Sequence, residues 1–429
     1  MHYRASHMSL PPELIDMVID FLYDDRDALR NCSLSCRAML PSCRVHLFHT
    51  VHAASLPYSL CHRSILDRLA VLLQGSPRIG QYISILHVKV WYEGAVETFL
   101  SMSQYLRAVE ELAMDWGEQS APQPAALSFI GPLRSLELRG DLKETASVLS
   151  EYLITFPSLT SLKMTINPLD VQLDQGGIRS LGEALSRCHI RHIQASEKTL
   201  NILLPALQCT PLKTLTDFEF LVLDWEWYKL SDVLLATASS LTTLITGLQN
   251  VGSPTPEGLE EIDMGLWNTA LRACPLLERF VFYVIAGQVG YICNQLMRIR
   301  GVHIKRLDLV IDIAVTQELA CLLHLPRVFM TNSHFPELRN LNILLRTDVN
   351  RSWPEKHLMK SHIFRAVEAR RINVSLECKN VSTSPICSAL IYLHRRRRKQ
   401  SYPMNLIEDC QPCEGALSQI RGRRSLGIN

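Results

Sequence analysis

The stretch FPSLTSLKMTIN, Phe156 to Asn167, spaces Leu159, Leu162 and Met164 as L-x-x-L-x-L and closes on an asparagine. Successive side chains of a strand point to opposite faces, so Leu162 and Met164 turn one way while Lys163 and Thr165 turn the other. Working outward, VEELAMD, PLRSLELRG, SSLTTLITG, PLLERFVFY, HIKRLDLVI and FPELRNLNILL repeat the spacing or a near relative of it. Their central apolar residues are Leu112, Leu136, Leu244, Phe280, Leu307 and Leu341, with Ile193 and Leu215 as fillers between Leu162 and Leu244. Leu112 and Leu136 are 24 residues apart, Leu136 and Leu162 are 26, and Phe280 and Leu307 are 27. Amphipathic helical segments lie between such strands, for example IRSLGEALSRC (Ile178 to Cys188) and HRSILDRLAVLLQ (His62 to Gln74).

A period of roughly 20–29 residues with this spacing resembles the leucine-rich repeat. The repeat is irregular. The family's asparagine stands at Asn167, but its counterpart is Asp141 or Leu142 in the preceding unit and Arg346 in a later one. The step from Leu244 to Phe280 is 36 residues. A general α/β fold, with buried strands after helices that end at proline, is the competing reading. The resemblance implies a curved, right-handed α/β stack over residues 60–378, its strands parallel in one sheet. Alternation then places Glu137, Arg139, Lys163, Thr165, Arg279, Tyr283, Arg306, Asp308, Asn340 and Asn342 on the concave face, where such stacks bind their partners.

The N-terminal segment has a different pattern. In LPPELIDMVIDFL, Leu10 to Leu22, apolar residues at Leu14, Ile15, Val18, Ile19 and Leu22 make a broad stripe on a helix. Pro12 suits a first helical turn and Glu13 the positive end of the helix dipole. The carboxylates of DDRD can cap a second helix, ALRNCSLSCRAML, which Pro41 is expected to end, and SCRVHLFHTV supplies a third short segment. Three faces this small expose more apolar surface than they can hide from one another. The plain reading is a helical cap on a larger domain.

Leu10 to Val51 also resembles the F-box, most closely the version in large fungal F-box families. The resemblance rests on Leu10-Pro11, Glu13-Leu14-Ile15, Ile19, Leu22, Leu29, CSLSCR from Cys32 to Arg37 and the closing Leu47-Phe48. Such sequences usually carry Val where Ser35 stands and Trp where Met39 stands. The resemblance implies docking on a Skp-type adaptor, and through it a cullin, by Leu10, Pro11, Leu14, Ile15, Ile19, Leu22, Leu29 and Leu34. The expected organisation is an F-box at 8–52, a leucine-rich-repeat-like domain at 60–378 and a basic, disordered tail at 379–429.

Composition excludes several alternatives. The 429 residues are 47% apolar and 20% charged, as in folded proteins, and Lys plus Arg (44) nearly balances Asp plus Glu (42). A net charge of +2 gives no whole-molecule field for nucleic acid or an anionic membrane. The run HRRRRKQ (His394 to Gln400) reads either as an import or nucleic-acid signal or as a solvated tail, and the tail is preferred. The N-terminus lacks the apolar run of a secretory signal. FVFYVIAGQVGYIC (Phe280 to Cys293) is too short for a membrane span and reads as a strand entering a helix. Thirteen scattered cysteines suit reduced thiols in cytosol or nucleus.

SAPQPAAL and NVGSPTPEG are proline-rich breaks between units. DWEWYKL groups Trp225, Trp227 and Tyr228, a binding spot if exposed and core if buried, with core preferred. No nucleotide-loop, nucleophile-elbow or zincin motif occurs, CQPC (Cys410 to Cys413) has no matching ligand pair, and neither cofactor nor metal is expected. The leading expectation is therefore a non-enzymatic substrate receptor of a Skp/cullin/F-box ubiquitin ligase with an unknown protein target. The alternatives are a scaffold without ligase output and an enzyme, which requires a pocket of convergent titratable groups.

Overall fold

In the computed structural model, the residues described are 11–54, 64–91, 94–117, 121–143, 145–168, 175–222, 227–248 and 264–285, then shorter segments between 289 and 347, and 372–380. Twelve strands form one sheet in chain order: β1 (Thr50–Ala54), β2 (Ile85–Lys89), β3 (Glu111–Gly117), β4 (Ser135–Leu142), β5 (Ser161–Pro168), β6 (His192–Ser196), β7 (Asp217–Val222), β8 (Thr243–Leu248), β9 (Arg279–Ile285), β10 (Arg306–Ile313), β11 (Asn340–Thr347) and β12 (Asn373–Asn380). Every neighbouring pair is parallel. Consecutive strands lying side by side, each reached by a crossover, make a leucine-rich-repeat-like solenoid rather than a doubly wound sheet, whose strand order reverses.

The register explains the sequence period. Leu86, Leu112, Leu136, Leu162, Ile193, Phe218, Leu244, Phe280, Leu307 and Leu341 stand in one row across the sheet, all 2% exposed or less. The strands of Leu136, Leu162, Leu307 and Leu341 thus share one sheet with those side chains inward, as expected. Leu215 is corrected: it is buried in the turn before β7, and Phe218 fills the row. A second signature lies at the strand entrances. The Arg134 carbonyl accepts from Thr160 and Ser161 N–H, Thr160 from Arg191 and His192, and the pattern continues through Lys305, which accepts from Arg339 and Asn340. Each turn is thereby tied to the next, and buried backbone groups are satisfied.

Helices α1 (Pro12–Asp20), α2 (Arg26–Ser35), α3 (Leu40–His49), α4 (Ile65–Gly75), α5 (Ala95–Ser103), α6 (Thr145–Thr155), α7 (Gln175–Arg187), α8 (Glu197–Cys209), α9 (Trp227–Thr237) and α10 (Met264–Arg272) alternate with or precede the strands. From α4 onward they contribute, among others, Leu66, Phe99, Leu149, Leu181, Leu203 and Leu234 to one continuous core shared with the inward row. Local caps agree with the pattern: Ser64 and Asp67 form a reciprocal capping box on α4. The Asp25 carboxylate accepts from Asp27 and Ala28 N–H at 3.1 and 2.9 Å to open α2. Pro41 does not end α2, which stops at Ser35. It lies in the first turn of α3, where its missing N–H costs nothing.

SAPQPAAL is less a break than expected. Pro124–Leu127 form a one-turn 3-10 helix with Pro124 and Leu127 buried, and the Tyr152 hydroxyl donates to the Pro122 carbonyl at 2.5 Å. The last residues of the expected N-terminal module, Thr50–His52, already belong to β1, and β12 extends to Asn380. NVGSPTPEG, CQPC and the basic run lie outside the described residues, as do the side chains of Trp225, Trp227 and Tyr228. No described helix is long and apolar enough to cross a membrane.

Candidate functional site

Two surfaces collect the candidate residues. The first is α1–α3. Ile19, Leu29 and Cys43 are fully buried and, with Ile15, Leu22, Cys32, Met39 and Leu47 around them, form a core separate from that of the repeats. Polar contacts reinforce it: Ser42 donates to Asp16, and His46 Nε2 meets Asp20 Oδ1 at 2.8 Å, both joining α3 to α1.

Of the expected docking residues, Ile19 and Leu29 are therefore enclosed and build the module, while Ile15 and Leu22 are half-buried against the same core. Pro11 is exposed, Leu14 is 45% exposed and Leu34 85% exposed, and Leu10 lies outside the described residues. The sequence reading missed Met17 and Phe21, which are 56% and 81% exposed. With Leu14 and Val18 (52% exposed) they fall at i, i+3, i+4 and i+7, a second apolar stripe on α1 and the residue after it. That spacing was readable. It was masked because Leu14 and Val18 also belong to the broad stripe that contains Ile19.

The second surface is the sheet face opposite the helical core. Alternation from the buried row puts Glu137, Lys163, Gln194, Glu219, Asp308 and Asn342 in one cross-sheet row and Arg279, Arg306 and Asn340 in another. Parity is as expected for every candidate on this face, but exposure is not uniform. Arg139 is exposed, Glu137, Lys163, Tyr283, Asn340 and Asn342 are half-buried, and Asp308 is corrected to buried at 6% exposure.

The cause is a built network. Asp308 Oδ2 accepts from Arg279 Nε at 2.8 Å and Nη2 at 2.7 Å, and Oδ1 from Arg306 Nε at 2.8 Å and Asn342 Nδ2 at 2.5 Å. Ser375 Oγ in turn donates to Asn342 Oδ1 at 2.6 Å. Burial alone raises the Asp308 pKa, but the donors Arg306, Asn342 and Arg279 together outweigh it and hold the carboxyl below its ordinary value.

Charge is segregated along this face. Over β3–β7 it carries Glu111, Asp115, Glu137, Asp217 and Glu219 against Arg139 and Lys163. Burial raises the Glu219 pKa against the pull of Lys163, and Gln194 Nε2 donates to Glu219 Oε1 at 3.1 Å. Over β9–β11 the described charges are Arg279, Arg306 and Arg346 against Asp308 and Asp312, with Arg346 Nε 3.4 Å from Asp312 Oδ1. Nearer the N-terminus the His52 and His87 rings stack at 4.5 Å, and burial first, then His52, lowers the His87 pKa.

The expected repeat asparagine also has a function here: Asn167 Nδ2 donates to Asp141 Oδ1 at 2.9 Å, joining the two residues that occupy that position in adjacent units. Among the described residues no three His, Cys, Asp or Glu are grouped to hold a metal ion.

No family model and no curated protein matches the chain. Similar solved structures include a TLR13–ssRNA13 complex, at 13% identity and a TM-score of 0.29, covering 72% of this chain and 48% of that one. This chain thus spans about half the length of that relative. Another is a complex of Rad7 and Elc1 in yeast, at 12% identity and a TM-score of 0.35, covering 80% of this chain and 91% of that one. At such values neither likeness carries an argument, and the solenoid stands on its own strand pairing.

Proposed function

We propose that the protein is the substrate-recognition subunit of a Skp/cullin/F-box-type ubiquitin ligase, docking on the adaptor through α1–α3 and holding a protein target on the open face of the repeats. The observation that carries the reading is the second apolar stripe of the N-terminal module. Leu14, Met17, Val18 and Phe21 remain 45–81% exposed after the module has built its own core, and Leu34 on α2 is 85% exposed. A helix that is apolar beyond what its own domain buries is patterned for a second protein. The order of elements in Leu10 to Val51, which resembles the F-box, supports a Skp-type adaptor as that protein. The role of the repeats is then tethering: a bound target is kept at high effective concentration beside a ubiquitin-charged enzyme, with no chemistry by this chain.

The test is co-purification of the full chain with a Skp-type adaptor. Phe21→Asp with Leu34→Asp is expected to abolish capture, because an unpaired carboxylate in an apolar interface costs several kcal/mol. Neither side chain belongs to a core, so the melting curve is expected to stay as it is. Lys213→Ala, exposed on the repeats, is the control. Undiminished capture by the double variant removes the docking assignment and the ligase reading with it.

A further inference from the structure

We propose that the open face over β9–β11 binds an acidic peptide segment of the target, whose carboxylates are gripped by Arg279 and Arg306. The proposal rests on the target-holding role of the repeats and adds the chemistry of the target. Arg279 and Arg306 occupy the same register position on adjacent strands. Strands lie about 4.8 Å apart, so two guanidiniums placed there repel unless an anion joins them.

Asp308 is that anion, and its geometry shows that one carboxylate spans both groups. It cannot neutralise them: two cations meet one anion, and among the described residues neither arginine has another acidic partner. Arg306 engages Asp308 only through Nε, leaving both Nη groups as donors, and Arg279 keeps Nη1. Their side chains are 47% and 43% exposed, whereas that of Asp308 is 9% exposed. The carboxylate thus lies beneath, the free donors above, and both forks are held in place before any ligand arrives. Pre-organised guanidinium forks favour planar carboxylates with paired N–H···O bonds.

The surroundings agree. Asn340 stands beside Arg306 in the same row and supplies a neutral hydrogen-bonding group, while Asn342, bonded to Asp308 and Ser375, holds the carboxylate in place. The carboxylate-rich half over β3–β7 repels the same ligand, which confines an acidic segment to this end of the face. A single charge count over the face is net acidic and conceals this; the strand register separates the two halves.

The experiment measures fluorescence anisotropy of fluorescein-labelled hexaglutamate and hexaglutamine with the full chain. Hexaglutamate is expected to bind at least about tenfold more tightly, and the preference to shrink as salt rises from about 50 to about 300 mM. Arg279→Gln with Arg306→Gln is expected to erase the preference. Arg279→Lys with Arg306→Lys keeps charge without the fork and is expected to retain only part of it. Lys213→Gln should bind as the parent does, and melting curves check that each variant is folded.

Equal binding of the two peptides, or an undiminished preference in the double glutamine variant, overturns the proposal. So does capture of a phosphoserine hexapeptide with hexaglutamate refused. Adaptor capture is followed in parallel: Phe21→Asp with Leu34→Asp leaves hexaglutamate binding intact, and the arginine variants leave adaptor capture intact. Failure of either surface is thereby read separately.

Discussion

Replacing Ile19 by alanine should unfold one end of the molecule and leave the rest standing. Ile19 is at zero exposure in a core whose other fully buried members, among the described residues, are Leu29 and Cys43. Truncating a buried isoleucine to alanine costs roughly 2–5 kcal/mol, the lost transfer energy plus the cavity left behind. Three short helices that share so small a core have only a modest net stability. The loss is therefore comparable to the whole net stability of the module.

The repeat core is separate, so it should not feel the change. Contact between the two runs through α3, where Leu47 faces the small core, Phe48 faces the large one, and the His49 carbonyl accepts from Ser84 N–H at 3.1 Å, and through Arg26 of α2, whose Nη2 donates to the Thr50 carbonyl of β1 at 3.2 Å. Hydrogen exchange followed by mass spectrometry resolves the two regions. In Ile19→Ala, protection in α1 and α2 should fall at least about thirtyfold, since each 1.4 kcal/mol is tenfold. Protection in β4–β8 should stay within about threefold of the parent. Leu136→Ala, at zero exposure in the large core, should do the reverse. Equal losses across the chain in both variants would refute the two-core account.

Three further outcomes follow from particular side chains. Glu219 has a raised folded-state pKa, so the stability it contributes is complete below its unfolded value near pH 4.3 and is lost as pH rises through the folded value. Glu219→Gln, which fixes the uncharged form, should melt higher than the parent at pH 8 and converge with it near pH 4; a pH-independent gap would contradict this. Gly140 has φ +140° and a Cβ there would fall 2.6 Å from Trp116 Nε1, which donates to the Asp141 carbonyl at 2.7 Å. Gly140→Ala should cost about 1–3 kcal/mol by chemical denaturation and shift the tryptophan emission, and an unchanged midpoint would show that β3 and β4 adjust freely. Burial pushes the Cys274 thiol up to about 12, so iodoacetamide at pH 8 should label exposed Cys36 and Cys209 and spare Cys274 until the chain unfolds.

The sequence by itself determined the repeat. A parallel solenoid buries the same position of every strand, so an L-x-L or its equivalent recurs once per unit and can be read locally, as at Leu136, Leu162, Leu307 and Leu341. The flanking strands were harder, because β1 and β12 place Val51 and Val374 where a leucine would have announced them. Phe218 took the place offered to Leu215 because both are buried and only register separates a strand residue from the turn before it. The first helix was equally legible as a helix, from Pro12, Glu13 and its apolar spacing.

What the tertiary structure alone decided was which side of each element meets protein. Ile19 and Leu29 carry the same apolar signature as Leu14 and Leu34, and only the packing of α1 against α2 and α3 turns one pair inward and leaves the other exposed. The same holds on the sheet. Alternation assigns Asp308 to the open face, but its burial depends on Arg279 from the preceding strand and Asn342 from the following one, brought beside it by parallel register across gaps of 29 and 34 residues. Periodicity along the chain fixes a side chain's direction. Its neighbours, and hence its charge and its use, are set by contacts between distant segments.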